Sequence, residues 1–141
     1  MISLRLDGIK GLEAKMKNLT KEMSDGIDKD MQAMVMETNA EQKQLAPVNK
    51  QMGAGGTLRS RTQFAKIGAL NYELIAATNY AAYQEFGTGG LVNIPAGLEK
   101  EAAFHKGKGI RQINMNAQPF FFAPIFRNTI KLIDKIKARF K

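Results

Sequence analysis

His105 is the single histidine and cysteine is absent. That removes thiolate nucleophiles, disulfides, thiolate metal sites and two-histidine motifs such as HExxH. His105 stands beside Lys106 with no carboxylate within three residues, so it reads as a solvated loop histidine rather than a ligand or base. The run Gly53, Gly55, Gly56 lacks the lysine and hydroxyl of a phosphate-binding GxxxxGK[ST] loop and reads as a mobile connection. The acidic residues Asp25, Asp28, Asp30, Glu37 and Glu41 read as the solvated face of a helix. Glu85 has at best Lys66 or Arg61 near it. No GxSxG, kinase set, Rossmann fingerprint or DNA-reading motif occurs. The sequence therefore predicts neither an enzyme nor a bound cofactor or metal.

Charge is the more informative property. The net charge of +8 is unevenly placed: residues 1–50 hold eight basic and eight acidic side chains, whereas residues 87–141 hold ten basic against three acidic. Such asymmetry points either to a polyanionic neighbour or to a solubilising surface. Candidate contacts to a partner or to DNA are Arg59, Arg61, Lys106, Lys108, Arg111, Arg127, Lys131 and Lys135.

These residues must be positioned by a small number of elements. The 141 residues suit one domain. Ile2, Leu4 and Leu6 alternate with polar neighbours and predict a first strand. Residues 9–18 are compatible with a helix through Ile9, Leu12 and Met16. A long helix follows over about 19–45, its apolar arc made by Leu19, Met23, Ile27, Met31, Met34, Thr38 and Leu45. Gly26 is expected to kink or break it, and Ala46-Pro47 to stop it. The loop 49–57 leads to a hairpin. One strand covers Leu58–Ile67, with Arg59 and Arg61 on one face. The other carries Tyr72, Leu74, Ala76 and Thr78, and the turn falls at Gly68-Ala69. Asn79 is placed to cap a short helix whose Tyr80, Tyr83 and Phe86 form an aromatic ridge, ended by Gly87. Residues 87–111 read as a long exposed loop. Ile113 and Met115 predict a last strand. Pro119 opens a final amphipathic helix to about Phe140. One arc is apolar (Phe122, Ile125, Phe126, Thr129, Ile130, Ile133, Ile136, Phe140). The opposite arc is basic (Arg127, Lys131, Lys135, Arg139). Packing on the hairpin is its ordinary explanation. The expected fold is α+β: an antiparallel sheet of about four strands, packed by the long N-terminal helix and the C-terminal helix.

The order of the local blocks is specific. Ala46-Pro47-Val48 precedes Leu58-Arg59-Ser60. Then come Asn79-Tyr80-Ala81-Ala82-Tyr83-Gln84-Glu85-Phe86-Gly87-Thr88 and, later, Gln118-Pro119-Phe120-Phe121-Phe122-Ala123-Pro124. This resembles the tail-component family of tailed bacteriophages, the neck and tail-completion proteins. The turn after Pro47 is longer here, and the last helix opens with Ala123-Pro124 where the family more often has proline-alanine.

The resemblance implies a structural virion protein, made in the host cytoplasm. It would form a homo-oligomeric ring of six or twelve copies at the head–tail joint, as the neck or tail-terminating layer. Its partners would be head-closure or connector proteins, tail-tube proteins and the DNA crossing the channel, with no membrane. Tyr80, Tyr83, Phe86, Phe120 and Phe121 are the candidate oligomer interface. The alternative reading is a small basic nucleic-acid-binding protein.

Overall fold

The computed structural model describes residues 1–6, 21–48, 55–104 and 114–140. The helix expected over 9–18, most of the glycine loop, and His105, Lys106, Lys108, Arg111 and Ile113 lie outside the described residues.

The elements are β1 (Ile2–Leu6), α1 (Lys21–Leu45), α2 (Thr57–Ser60), β2 (Thr62–Gly68), β3 (Asn71–Ala76), α3 (Ala81–Phe86), α4 (Glu99–Phe104) and α5 (Phe122–Arg139). A 3-10 turn, Gly89–Leu91, follows α3. Among the described residues the sheet has three strands in the order β1-β3-β2, both neighbours antiparallel to the central β3. The fold is thus α+β as expected, with one strand fewer. Of the last strand, Met115 keeps an isolated antiparallel bridge to Thr88.

Strand β3 alternates as its sequence demands. Tyr72, Leu74 and Ala76 are buried on the core face, with α1 laid beneath. Helix α1 contributes Ile27, Met31, Met34 and Val35 to the core, and Ala46 is buried just beyond its end. Leu45, expected on the apolar arc, is half exposed, and so is Met36. Gly26 does not break α1. A Cβ there would come within 3.3 Å of the Arg139 guanidinium, so the missing side chain makes room for a neighbour.

Several local expectations are corrected. Residues 87–111 are not one long exposed loop: they contain α4, with Leu98 and Ala102 buried. Leu58–Ser60 is a turn of helix, not the start of a strand. Gly56 turns the chain at φ 114, and the amides of Ser60 and Arg61 then bond back to Gly56 O and Thr57 O. The Ser60 and Thr62 hydroxyls donate to Thr57 O and Leu58 O, which favours the helical turn over an extended start. Arg59 and Arg61 therefore do not share a strand face. The cap of α3 is also not Asn79: Tyr80 holds the N-cap position and no side chain bonds there.

The hairpin turn is Ala69-Leu70, one residue later than expected, because Gly68 pairs with Asn71. Leu70 takes φ 55, a left-handed conformation that bulky residues rarely adopt. Asp28 of α1 holds it: its carboxylate accepts from Leu70 N at 3.2 Å and from the Tyr72 hydroxyl at 3.1 Å, and pairs with Lys66. Burial works to raise the Asp28 carboxyl. The bonds from Lys66, Leu70 and Tyr72 outweigh it and leave the group below the usual carboxylate range.

Helix α5 packs along α1 rather than on the hairpin. Arg127 pairs with Glu41, Lys131 with Glu37 at 3.2 Å, and Lys135 and Arg139 with Asp30 at 2.9 and 2.7 Å. Partners descend one helix as they ascend the other, so the two run antiparallel. Between the charges lies a polar seam. Asn128 Nδ2 donates to Thr38 Oγ1 at 3.1 Å, Thr38 Oγ1 donates to Met34 O, and Gln42 Nε2 donates to Phe121 O at 2.9 Å. The acidic face of α1 is thus solvated only in part: Asp25 and Glu37 are exposed as expected, whereas Asp28, Asp30 and Glu41 are at least partly buried, and Asp28, Asp30, Glu37 and Glu41 each hold a cation of this chain.

Candidate functional site

Glu85 is 2% exposed and touches neither Lys66 nor Arg61. Its Oε2 accepts from the amides of Phe120 at 2.7 Å and Phe121 at 2.9 Å, and its Oε1 from Phe122 at 3.1 Å. Those amides open α5, whose own N-cap residue, Phe121, offers no side-chain bond. A helix start leaves amides unpaired and carries positive potential, so a carboxylate is the best acceptor for it. The cap comes from a side chain 35 residues earlier in sequence. Residue types alone did not disclose it; the signal available was an acid in a short, otherwise apolar helix together with an uncapped Pro-Phe-Phe-Phe start.

The surrounding backbone closes the same joint. Gln118 N donates to Gln84 O at 2.7 Å and Thr88 N to Met115 O at 3.0 Å. Gly87 adopts φ 77. A Cβ there would lie 2.7 Å from both Leu91 O and Met115 O and 2.9 Å from Ala117 N, so only glycine fits. Phe86 stacks on Phe122 at 5.9 Å, and Phe121 meets Phe122 edge-on at 5.2 Å. The two blocks that carry the resemblance, Tyr80–Thr88 and Gln118–Pro124, are one packed unit.

This settles where the expected interface aromatics lie. Phe86, Phe120 and Phe121 are consumed inside the chain and present no surface to a partner, because a carboxylate-capped helix start pulls them into the core. Tyr80 and Tyr83 remain exposed, at 42% and 43%. Tyr80 borders a cleft of about 530 Å³ shared with Pro47, Val48, Leu58, Gln84 and Met115. Of the expected cationic contacts, Arg127, Lys131 and Lys135 are paired with α1, whereas Arg59 and Arg61 are exposed and in no ion pair among the described residues.

The apolar arc of α5 is wider than α1 can cover. Phe122, Ile125, Leu132 and Ile136 are buried. Phe126, Ile130 and Phe140 lie outside at 46%, 62% and 49% exposure, on one side of the helix. Phe64 and Ile67 of β2 are exposed as well. Among the described residues there is no group of three His, Asp or Glu placed to hold a metal ion, and no helix long and apolar enough to cross a membrane.

A carboxylate clamp serves the fold, the cations of α5 are paired with α1, and apolar residues are left outside. Residues 10–87, more than half of the chain, match the family described as "Bacteriophage HK97-gp10, putative tail-component". The chain belongs to this HK97-gp10-like family of phage tail components, a structural class. The matched span runs to Gly87 and so includes Glu85 and both exposed tyrosines. No curated protein and no solved structure matches the chain.

Proposed function

We propose that the chain is a structural virion protein that assembles with copies of itself into a ring at the head–tail joint, as a neck, tail-completion or tail-terminating layer. It acts by forming interfaces and performs no covalent step. The observation that carries this reading is the outer face of α5. Its basic side is bound to α1 and its inner side is buried, yet Phe126, Ile130 and Phe140 stay in water. An apolar stripe of this kind on a small soluble domain marks a contact with another chain. Head-closure and tail-tube proteins are the partners that fit above and below such a ring, with DNA crossing its channel.

The test is sedimentation and negative-stain microscopy of the purified chain, with particle incorporation measured in parallel. Ring-shaped oligomers, or a ring-sized complement of copies in particles, are expected. Phe126→Ser with Ile130→Ser should abolish both while leaving the monomer folded. A chain that sediments as a monomer at every concentration and is missing from particles would refute the proposal.

A further inference from the structure

The sheet ends on two open edges. With the order β1-β3-β2, the outer sides of β1 and β2 have no strand partner among the described residues. Both pair antiparallel to β3, so they run parallel to each other. After Thr62 every residue of β2 is exposed, on both faces. The one cation on this edge, Lys66, is turned to Asp28 and does not guard it. Unguarded edges of this kind are templates for strand addition.

The charges at one end of the sheet complete the argument. Ile2, Ala76 and Thr62 lie in line across the three strands. Beside Thr62, at the β2 edge, are Arg59 and Arg61, which have no carboxylate partner among the described residues. Near the start of β1 lies α4, whose Lys100 and Glu101 border one cleft with Ile2 and Ser3, and whose Glu99 stands two residues before Glu101. Two cations sit level with the start of one free edge, and a helix whose first turn holds two anions to one cation (Glu99, Lys100, Glu101) lies near the start of the other.

We infer that a second copy of this chain docks on β2 through its own β1, parallel and level, with Arg59 and Arg61 of one copy against Glu99 and Glu101 of the next. The joint is head-to-tail, so each copy gives one edge and takes another, and the series closes into a ring where the rotation permits. The bulge between Lys66 and Gly68 confines the pairing to the first half of β2. This inference rests on the ring reading and names a second surface of the ring joint, in addition to the outer face of α5.

The absence of cysteine makes the test direct. Gln63 and Ser3 both lie opposite Ile75, on the two sides of β3. Within one chain they are two strand spacings apart, roughly 9.6 Å, which is beyond disulfide reach. Between copies they become neighbours. The variant with Gln63→Cys and Ser3→Cys, oxidised in the purified protein and in assembled particles, should give a ladder of dimers, trimers and higher species under denaturing electrophoresis. Each single variant should stay monomeric. Arg59→Glu with Arg61→Glu should reduce the ladder at least tenfold, and adding Glu99→Lys with Glu101→Lys should restore it. Rings or particle-bound copies without a ladder would overturn the edge pairing and leave the ring reading intact. A dimer from Gln63→Cys alone would show β2 meeting β2 and would also overturn it. A chain that neither forms rings nor enters particles would remove both.

Discussion

Replacing Glu85 by glutamine keeps the size of the side chain and changes only its bonding. The two carboxylate oxygens accept three amides, at 2.7, 2.9 and 3.1 Å, in a site that water does not reach. Glutamine puts an NH₂ group where one oxygen was. At least one donor then faces a donor, and the remaining bonds lose their ionic character. A bond to a charged group contributes roughly 1.5–3 kcal/mol, and an orphaned buried donor costs roughly 1–3 kcal/mol. The expected loss is about 3 kcal/mol for Glu85→Gln and about 5 kcal/mol for Glu85→Ala, which strands all three amides. Against a typical total of 5–15 kcal/mol these are large fractions. For a chain of this length the glutamine variant should melt about 6–12 °C lower. Circular dichroism melts and urea titrations read the global loss. Amide exchange at Phe120, Phe121 and Phe122 reads the local one, and these three should lose more protection than the amides of β3. Glu37→Gln, which removes an exposed carboxylate, is the control and should cost under about 1 kcal/mol. A glutamine variant that melts within about 2 °C of the parent would mean that the clamp does not hold α5 in place.

Gly87→Ala should destabilise by at least about 3 kcal/mol, since its Cβ would meet two carbonyl oxygens at 2.7 Å at a positive φ; a near-normal urea midpoint would contradict the packing of that turn. Asp30, Asp28 and Glu41 all have carboxyls held below their usual 3.8, 3.8 and 4.5: Arg139 bonding leads for Asp30, and Arg127 bonding for Glu41. Depressed carboxylates give stability that is present above the unfolded values and lost as pH falls through the folded ones. The urea midpoint should therefore hold from pH 7 to about 4.5 and fall below it, and Asp30→Asn should flatten that fall. Arg127→Ala with Lys131→Ala should lower stability by about 1–2 kcal/mol in low salt and much less in 1 M salt, measured by the same titration. Because the basic face of α5 is held against α1, this double variant should leave any nucleic-acid affinity and its salt slope unchanged.

Much of the fold was legible because its elements carry clean periods. The alternation of Tyr72, Leu74 and Ala76 and the helical arc of Ile27, Met31 and Met34 gave β3 and α1 nearly as they stand. Two kinds of information were not local. The first is capping at a distance: nothing within ten residues of Phe120 tells that Glu85 will bind its amide. The second is cross-helix charge matching. Asp30, Glu37 and Glu41 look solvated when α1 is read alone, and Arg127, Lys131 and Lys135 look free when α5 is read alone. Only the antiparallel register shows that each answers the other. The Leu58–Ser60 turn was missed because hydroxyl-to-backbone bonding and the left-handed Gly56 outweigh an alternation that reads as a strand.

The register also changes what the basic third of the chain means. Read by composition, ten cations against three anions over residues 87–141 call for a polyanion outside the molecule. Four of those cations are already held by Asp30, Glu37 and Glu41, so their polyanion is α1. A nucleic-acid reader needs unpaired cations gathered on an open face, whereas the exposed Arg127, Lys131, Lys135 and Arg139 each lie against a carboxylate of α1, and α5 turns an apolar stripe outward beside them. The same division runs through Tyr80–Thr88. Glu85, Phe86 and Gly87 face inward and fasten α5, while Tyr80 and Tyr83 face outward beside it. One short segment thus anchors the C-terminal helix and displays two tyrosines at a fixed position relative to it. In the proposed ring such rigid coupling would hold these tyrosines at one angle to a neighbour, copy after copy. A free-standing binder of phosphates needs no such coupling.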